Sequence, residues 1–441
     1  MPMITFRSVF CAWLCLTAVG SAQEQAALRH FKPQSHALGD VHPFFHQGEC
    51  YLYYLKPGSF EAALARSSDW LRWQETPLSH EKVLPGDWMS PYYVLGVFQD
   101  ASASVFRSFY GHAQGRMVSS VSQNLRNWRC APKEFHLPAA DYYQRRRDPY
   151  VFWIPEMKKY GCVMTTWMKS RPKESGGAVS LATSEDLQHW QDHGPIWDSG
   201  TSGEPECPQM FPLDGRWYLL ASLYDRAVGQ PTYWVSDSPL GPWERYPKGV
   251  LDGKDLCAAQ VAEEDGRLFL FGWIPLEPAQ PGKQTWGGHL ALPREVYALQ
   301  DGRLGTRLPT RIAEKIVKLS WHDFQPENSW LSLAVDFSLL IREETRMEIA
   351  PLGQVSFRQD GIRVLDAAGE CWSKLETGLS NSQPVHIQVF VEDNIVEVFA
   401  DGRFSLAARL PRQAGRLKLR FHPAPSSQHL TKIRVSEWSQ P

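Results

Sequence analysis

One motif constrains this chain more than any other, because it returns four times. ARSSDWLRW ends at Trp73, SSVSQNLRNW at Trp128, LATSEDLQHW at Trp190 and VSDSPLGPW at Trp243. The first three place Ser six residues and Asp or Asn four residues before the Trp; the fourth carries one extra residue, and the intervals run from 53 to 62 residues. Each motif follows an aromatic, strand-like run closed by a polar or Gly turn: FFHQGECYLYYL, VFQDASASVFRSFY, VFWIPEMKKYGCVMTTW and MFPLDGRWYLLAS. A fifth unit, AAQVAEEDGRLFLFGWI, opens the same way and continues into TWGGHLALPREVYAL. Alternating strands and tight turns repeated every ~40 to 60 residues cannot bury their apolar faces singly, so such units stack around an axis. Five units predict a five-bladed β-propeller over residues 23–310.

From about Ser320 the texture changes. LSLAVDFSLLI, RMEIAPL, QVSFRQDGIRVLD, VHIQVFVED, NIVEVFADG, FSLAARL and RLKLRF alternate apolar and polar residues between turns such as Asp360-Gly361 and Asp401-Gly402, and the Trp motif does not recur. The pattern predicts an antiparallel β-sandwich over 320–441. A link near 305–325, marked by Pro309 and a short charged run, joins the two. The whole chain therefore reads as all-β, and 441 residues suit two domains better than one core.

The formal net charge of -2 excludes the basic excess of a nucleic-acid binder. Aromatic residues make up 12% of the chain, including 18 Trp, which suits surfaces that stack on sugar rings. At the start, Arg7 precedes the apolar SVFCAWLCLTAVG, and Gly20-Ser21-Ala22 offers small residues for cleavage. Residues 1–22 are read as a signal peptide and the product as secreted or periplasmic. That apolar stretch is too short for a membrane span, and no later one approaches the necessary length. Cleavage removes Cys11 and Cys15 and leaves six scattered cysteines without metal-ligand spacing, so no metal is expected. Cys50 and Cys162 fall within strand-like runs and are read as buried thiols.

Three blades open on acids: GDVHPFF from Gly39, RRRDPYVFW from Arg145 and GEPECPQMF from Gly203. Opening strands line a propeller's central channel, so acids at their starts converge. Asp40 stands 8 residues before Gly48 and Glu206 9 before Gly215, while Asp148 and Asp255 precede their turns by slightly more. Singly, each acid reads as a turn or surface residue. Together they repel one another in a low-dielectric funnel, and such a gathering needs a purpose. Retaining glycosyl transfer supplies one: it needs an ionised nucleophile and a protonated acid about 5 to 5.5 Å apart, and a third carboxylate can hold ring hydroxyls. Glu204 competes with Glu206, since both face the same side of an extended strand, and the offset favours Glu206. Cys207 is either a small buried residue or a thiol that tunes its neighbour. Arg147 either clamps a substrate hydroxyl and neutralises Asp148, or is solvated with Arg145 and Arg146.

Arg147-Asp148-Pro149, Glu206-Cys207-Pro208, GKDLCAAQ from Gly253 and WGGHLALPRE from Trp286 resemble motifs of glycoside hydrolase family 32, the invertases, inulinases and levanases. VFVEDNIVEVFADG from Val389 is similar to that family's C-terminal module. The resemblance implies retaining hydrolysis of β-fructofuranosides without metal or organic cofactor, Asp40 as nucleophile, Glu206 as acid/base and Asp148 as transition-state stabiliser. Two departures stand out. The family's Asn-Asp-Pro-Asn-Gly is here Gly39-Asp40-Val41-His42-Pro43, and its Trp-Ser-Gly-Ser stretch has Trp88-Met89-Ser90-Pro91 as nearest counterpart. His42 is accordingly read as a hydroxyl ligand or a packed ring, Trp88, Trp153 and Trp286 as a stacking wall or structural residues, and Asp255 as a further substrate contact. Two other readings compete: an arabinofuranosidase or xylosidase resembling family 43, mostly inverting with carboxyl groups about 6.5 to 9.5 Å apart, and a non-catalytic carbohydrate-binding propeller.

Overall fold

The computed structural model describes residues 30–437 except 82–92, 113–115, 132–134, 138–142, 173, 199, 201–202, 225–228, 247–248, 278–284 and 423–428. The expected signal peptide and Trp88 lie outside the described residues.

The two-residue alternation of the sequence becomes strands nearly throughout, gathered into seven sheets among the described residues. Five are blades. Their inner strands are Gly39–His46, Tyr93–Asp100, Tyr143–Ile154, Pro205–Leu213 and Cys257–Glu264, each pairing antiparallel with the strand that follows. Successive inner strands pack side by side, and the fifth returns against the first. Backbone bonds complete the circle. Leu38 and Gly288 exchange N–H···O bonds of 3.1 and 2.7 Å, so the start of the described chain zips onto the last blade. Gly288 also lies close against the neighbouring strand of its own blade, where a Cβ would sit 1.7 Å from the Ile274 carbonyl oxygen.

The recurring motif has a physical meaning. Ser67 Oγ accepts the Trp70 N–H at 2.7 Å and Asp69 Oδ1 accepts the Arg72 N–H at 2.8 Å. In the next two blades Asn124 and Asp186 accept the Asn127 and His189 N–H groups in the same way, while Ser122 and Ser184 accept the N–H two residues on, of Asn124 and Asp186. These side chains take over backbone donors and hold Trp70, Leu125 and Leu187 in the left-handed region, at φ of 64°, 61° and 61°. Each such residue is thereby turned into the space between blades and buried.

Two more sheets form the sandwich. One orders His322–Asp323, Leu430–Ser436, Ser332–Leu339, Val385–Glu392, Ile395–Ala400 and Phe404–Arg409; the other orders Cys371–Glu376, Gly361–Asp366, Gly353–Arg358, Thr345–Ala350 and Lys418–His422. Leu333, Val335 and Phe337 of the first meet Met347, Ile349, Val355 and Phe357 of the second in one buried core. The connection to the propeller is not a loose link. It contains the helix Thr310–Ile316, whose Ile312 and Ile316 enter the first blade's core. Its Arg311 lies 4.3 Å over the Trp70 ring and pairs with Glu264 at 2.9 Å.

Ions enclosed between the two bodies fasten them. Arg294, fully buried, bridges Asp252 of the propeller, at 3.1 Å, and Glu397 of the sandwich. His30 bonds Glu392 and Glu397, both at 2.8 Å. Asp252 Oδ1 also accepts the Ala407 N–H at 2.6 Å.

Candidate active site

Every inner strand slips register near its start: between Gly39 and His42, Tyr93 and Gly96, Arg147 and Tyr150, Glu206 and Gln209, and Cys257 and Gln260. A bulge of this kind frees residues from the ladder and re-aims their side chains. In four of these strands the first freed residue is left-handed: Asp40 (φ 42°), Asp148 (52°), Cys207 (50°) and Ala258 (42°). Such a conformation costs a residue bearing a Cβ about 1–3 kcal/mol. Strain repeated at one level of the axle locates the site, and it corrects the sequence alignment of the blades. Asp40 is equivalent to Asp148 and Cys207, whereas Glu206 stands one position earlier, level with Arg147. Counting to the turn glycine carried the hint, since Cys207, not Glu206, lies 8 residues before Gly215.

Glu206 nonetheless joins the other acids, drawn by Arg147. One guanidinium nitrogen, Nη1, donates to Asp148 Oδ2 at 2.6 Å; Nη2 donates to Glu206 Oε1 at 2.6 Å and Glu204 Oε2 at 3.2 Å. Of the two readings of Arg147, the solvated one is therefore excluded: it is buried at the centre of three carboxylates. Asp148 forms the floor. Its side chain is fully enclosed, Oδ2 also accepts the Cys207 N–H at 3.1 Å, and Oδ1 has no hydrogen-bond partner. Glu206, at the mouth, leaves 28% of its side chain exposed. Asp40 is buried, its Oδ1 is likewise unpartnered, and the Trp273 indole is directed at it without a well-formed bond.

Burial first, then the charges of Glu206 and Asp148, push the Asp40 carboxyl well above its ordinary value. Burial also raises Glu206; Arg147 opposes the shift, and the charges of Asp148 and Glu204 add to it. Asp40 and Glu206 consequently titrate as a coupled pair, and between their two steps the pair holds one proton. A proton donor and an anion thus face one space, above unsatisfied acceptors suited to hydroxyl groups.

The remaining candidates divide. His42 is the packed ring, not a hydroxyl ligand: Nδ1 meets Gln260 Oε1 at 2.6 Å and Nε2 accepts the Val97 N–H at 3.0 Å, so both nitrogens are committed within the protein. Cys207 is buried, and burial together with the surrounding acids keeps its thiol protonated. Asp255 departs from expectation, because its carboxylate accepts the Arg409 N–H of the sandwich at 2.9 Å and serves the junction. Trp286 stands beside the acids' strand, with Gly39 leaving room for it; a Cβ on Gly39 would lie 2.7 Å from the indole. Trp153 projects 44% exposed near the outer turn of its strand, facing Tyr160.

Sequence reasoning missed Trp273, Gln260 and Thr165. Thr165 is the cross-strand partner of Arg147, and its hydroxyl donates to the Pro205 carbonyl at 2.6 Å, tying the third blade to the fourth beside Glu206. That signal lay in the strand pairing, and Gln260 lay inside the quoted GKDLCAAQ. Among the described residues no cluster of His, Cys, Asp and Glu is arranged to hold a metal ion.

Known proteins agree with this architecture. The sequence profile described as "Glycosyl hydrolases family 32 N-terminal domain" matches residues 30–307. A sucrose-6-phosphate hydrolase of Vibrio alginolyticus is 30% identical over 294 residues, covering 59% of this chain and 58% of that protein. An extracellular exo-inulinase of Aspergillus niger is 26% identical over 308 residues, 58% of this chain and 52% of its own. The chain thus spans between half and three fifths of these relatives. In fold, the structure of a sucrose-6-phosphate hydrolase from Lactobacillus gasseri superposes with a TM-score of 0.76 at 17% identity, over 93% of this chain and 92% of that one.

Proposed function

The chain belongs to glycosyl hydrolase family 32, and from that premise we propose that it hydrolyses β-fructofuranosides of the sucrose, inulin or levan type with retention of configuration. The observation that carries the reading is the convergence of Asp148, Glu204 and Glu206 on one Arg147 guanidinium beside the buried Asp40.

In this reading Asp40 attacks the anomeric carbon and Glu206 protonates the departing oxygen, giving a covalent fructosyl intermediate. Glu206, now a base, then takes a proton from water that displaces Asp40. Without substrate the shared proton is favoured on Asp40, which burial and two acids push well up, over Glu206, whose rise the Arg147 bond opposes. Positive charge developing on the anomeric carbon favours the ionised form of the nearer carboxyl, Asp40, and moves the single proton to Glu206. Asp148, held by Arg147 and the Cys207 N–H, keeps Oδ1 for ring hydroxyls. Trp286 and Trp273 supply apolar wall. Catalysis is assigned to residues 23–310, with 320–441 as a docked support, and residues 1–22 are proposed to direct export; N-terminal sequencing of material released from cells tests the last point.

The deciding experiment offers the purified protein sucrose, inulin, levan and an aryl arabinofuranoside, and follows the first-formed sugar by NMR. Release of β-fructose is expected. An inverted anomer, arabinose as the sole product, or sugar binding without any release would overturn the proposal.

A further inference from the structure

Where the ladder resumes after each slip, the inner strands carry His42, Gly96, Tyr150, Gln209 and Gln260, one per blade. His42 and Gln260 touch, and their hydrogen bond is part of a longer chain of contacts. The Val97 backbone N–H can only donate, so His42 Nε2, 3.0 Å away, is the lone-pair nitrogen. Nδ1 therefore carries the proton and donates to Gln260 Oε1 at 2.6 Å. That fixes the amide's orientation and turns its NH₂ toward the Cys207 sulfur, a contact without a well-formed bond. The Cys207 backbone N–H in turn donates to Asp148 Oδ2 at 3.1 Å. Five blades are crossed in order: second, first, fifth, fourth, third.

The first link in this hoop matters most to Asp40. Asp40 and Val41 have no partner in the ladder with Glu49–Leu55, which resumes only at His42 paired with Tyr53. Asp40 Oδ1 accepts no bond. The position of this carboxylate is thus set by its strained backbone, and that backbone is held just downstream by the imidazole. We propose that His42 is a positioning residue: a neutral imidazole of fixed tautomer whose bonds to Val97 and Gln260 pin the Asp40 bulge between the second and fifth blades and so set the carboxylate's place opposite Glu206. Burial supports this role by holding the ring's pKa down to about 4 against both hydrogen bonds, and no charged group among the described residues bonds the ring.

The inference rests on the proposed fructosidase reading, and its test separates the two. His42→Leu, His42→Gln, Gln260→Leu and the double His42→Leu/Gln260→Leu variant are compared with the unaltered protein for kcat, KM and thermal midpoint. Displacing a reacting group by about 1 Å costs about 10²-fold in rate. His42→Leu and Gln260→Leu are expected to lose kcat on that scale with KM within about 3-fold, and the double variant to be little worse than either, as for residues acting through one contact. His42→Gln, which keeps an acceptor for the Val97 N–H, is expected to recover part of the loss. A purely structural ring would lower the thermal midpoint and leave kcat unchanged below it, and that outcome overturns the proposal, as does a raised KM at constant kcat. If His42→Leu does not fold, His42→Gln and Gln260→Leu carry the same comparison. Nitrogen NMR of the unaltered protein supplies a readout without turnover: an Nδ1–H ring neutral at pH 5 is expected, and a midpoint near 6.5 overturns the proposal. Inactivity of the unaltered protein on every fructoside would sink the fructosidase reading alone.

Discussion

At the scale of the residue, the site is governed by too much negative charge around one cation. Asp40 is buried among like charges without a cation of its own, so Asp40→Asn should lower turnover by about 10⁴-fold or more and stabilise the fold by about 1 kcal/mol. Kinetics and thermal denaturation on the same sample check both signs; a variant that is active, or inactive and markedly less stable, contradicts them. Glu204 shares the Arg147 guanidinium with Glu206 and raises its pKa. Glu204→Gln removes that charge, so Glu206 gives up its proton at lower pH. The alkaline limb of the kcat profile should therefore move toward acid while the protein remains folded. A limb that stays in place, or moves upward, would show that Glu204 does not act on the proton donor.

At the scale of the element, the bulged inner strand is the device that makes a site from a repeat. An unbroken ladder would send alternate side chains into the blade interfaces; the slip frees two residues per strand and, in four of the five, sets the first of them in a left-handed conformation that re-aims its side chain. The same slip explains why strand counting placed Glu206 level with Asp40 when the register places Cys207 there. The closing ladder is equally local. Gly288→Ala would drive a Cβ into the Ile274 carbonyl, a backbone atom that cannot rotate away, and unseat the pairing with Leu38. A loss of about 3 kcal/mol is expected. Denaturant unfolding measures it, and a change below about 0.5 kcal/mol, the range of neutral surface substitutions, would mean that the blade yields.

At the scale of the whole molecule, buried ions join propeller to sandwich. Burial disfavours the His30 cation, but bonds to Glu392 and Glu397 outweigh it and raise the pKa to about 9 from 6.5. The folded pKa lies above the unfolded one, so this stabilisation is complete below pH 6.5 and disappears as pH rises through about 9. A shift of that size corresponds to something on the order of 3 kcal/mol. His30→Gln should therefore destabilise the protein near pH 6 and flatten the decline between pH 7 and 9.5. Parallel stability curves for the two proteins across that range would refute the linkage.

The repeat, its turn signals and the change of texture near Ser320 made the fold class readable from the chain, because side-chain period and turn chemistry are local properties. The Ser and the Asp or Asn of the first three Trp motifs bond within a few residues, and their sequence spacing is their geometry. The acids were legible as candidates for the same reason, each heading a strand. Their partners were not. Arg147 meets Glu206 across 59 positions and His42 meets Gln260 across 218. His42 reads equally well as a sugar ligand or a packed ring until Val97 is seen to donate to it, and Asp255 reads as a funnel acid until the sandwich arrives to claim it. Where a polar side chain finds its partner is settled by closing the circle of blades, which brings together groups whose separation along the chain carries no record of their distance in space.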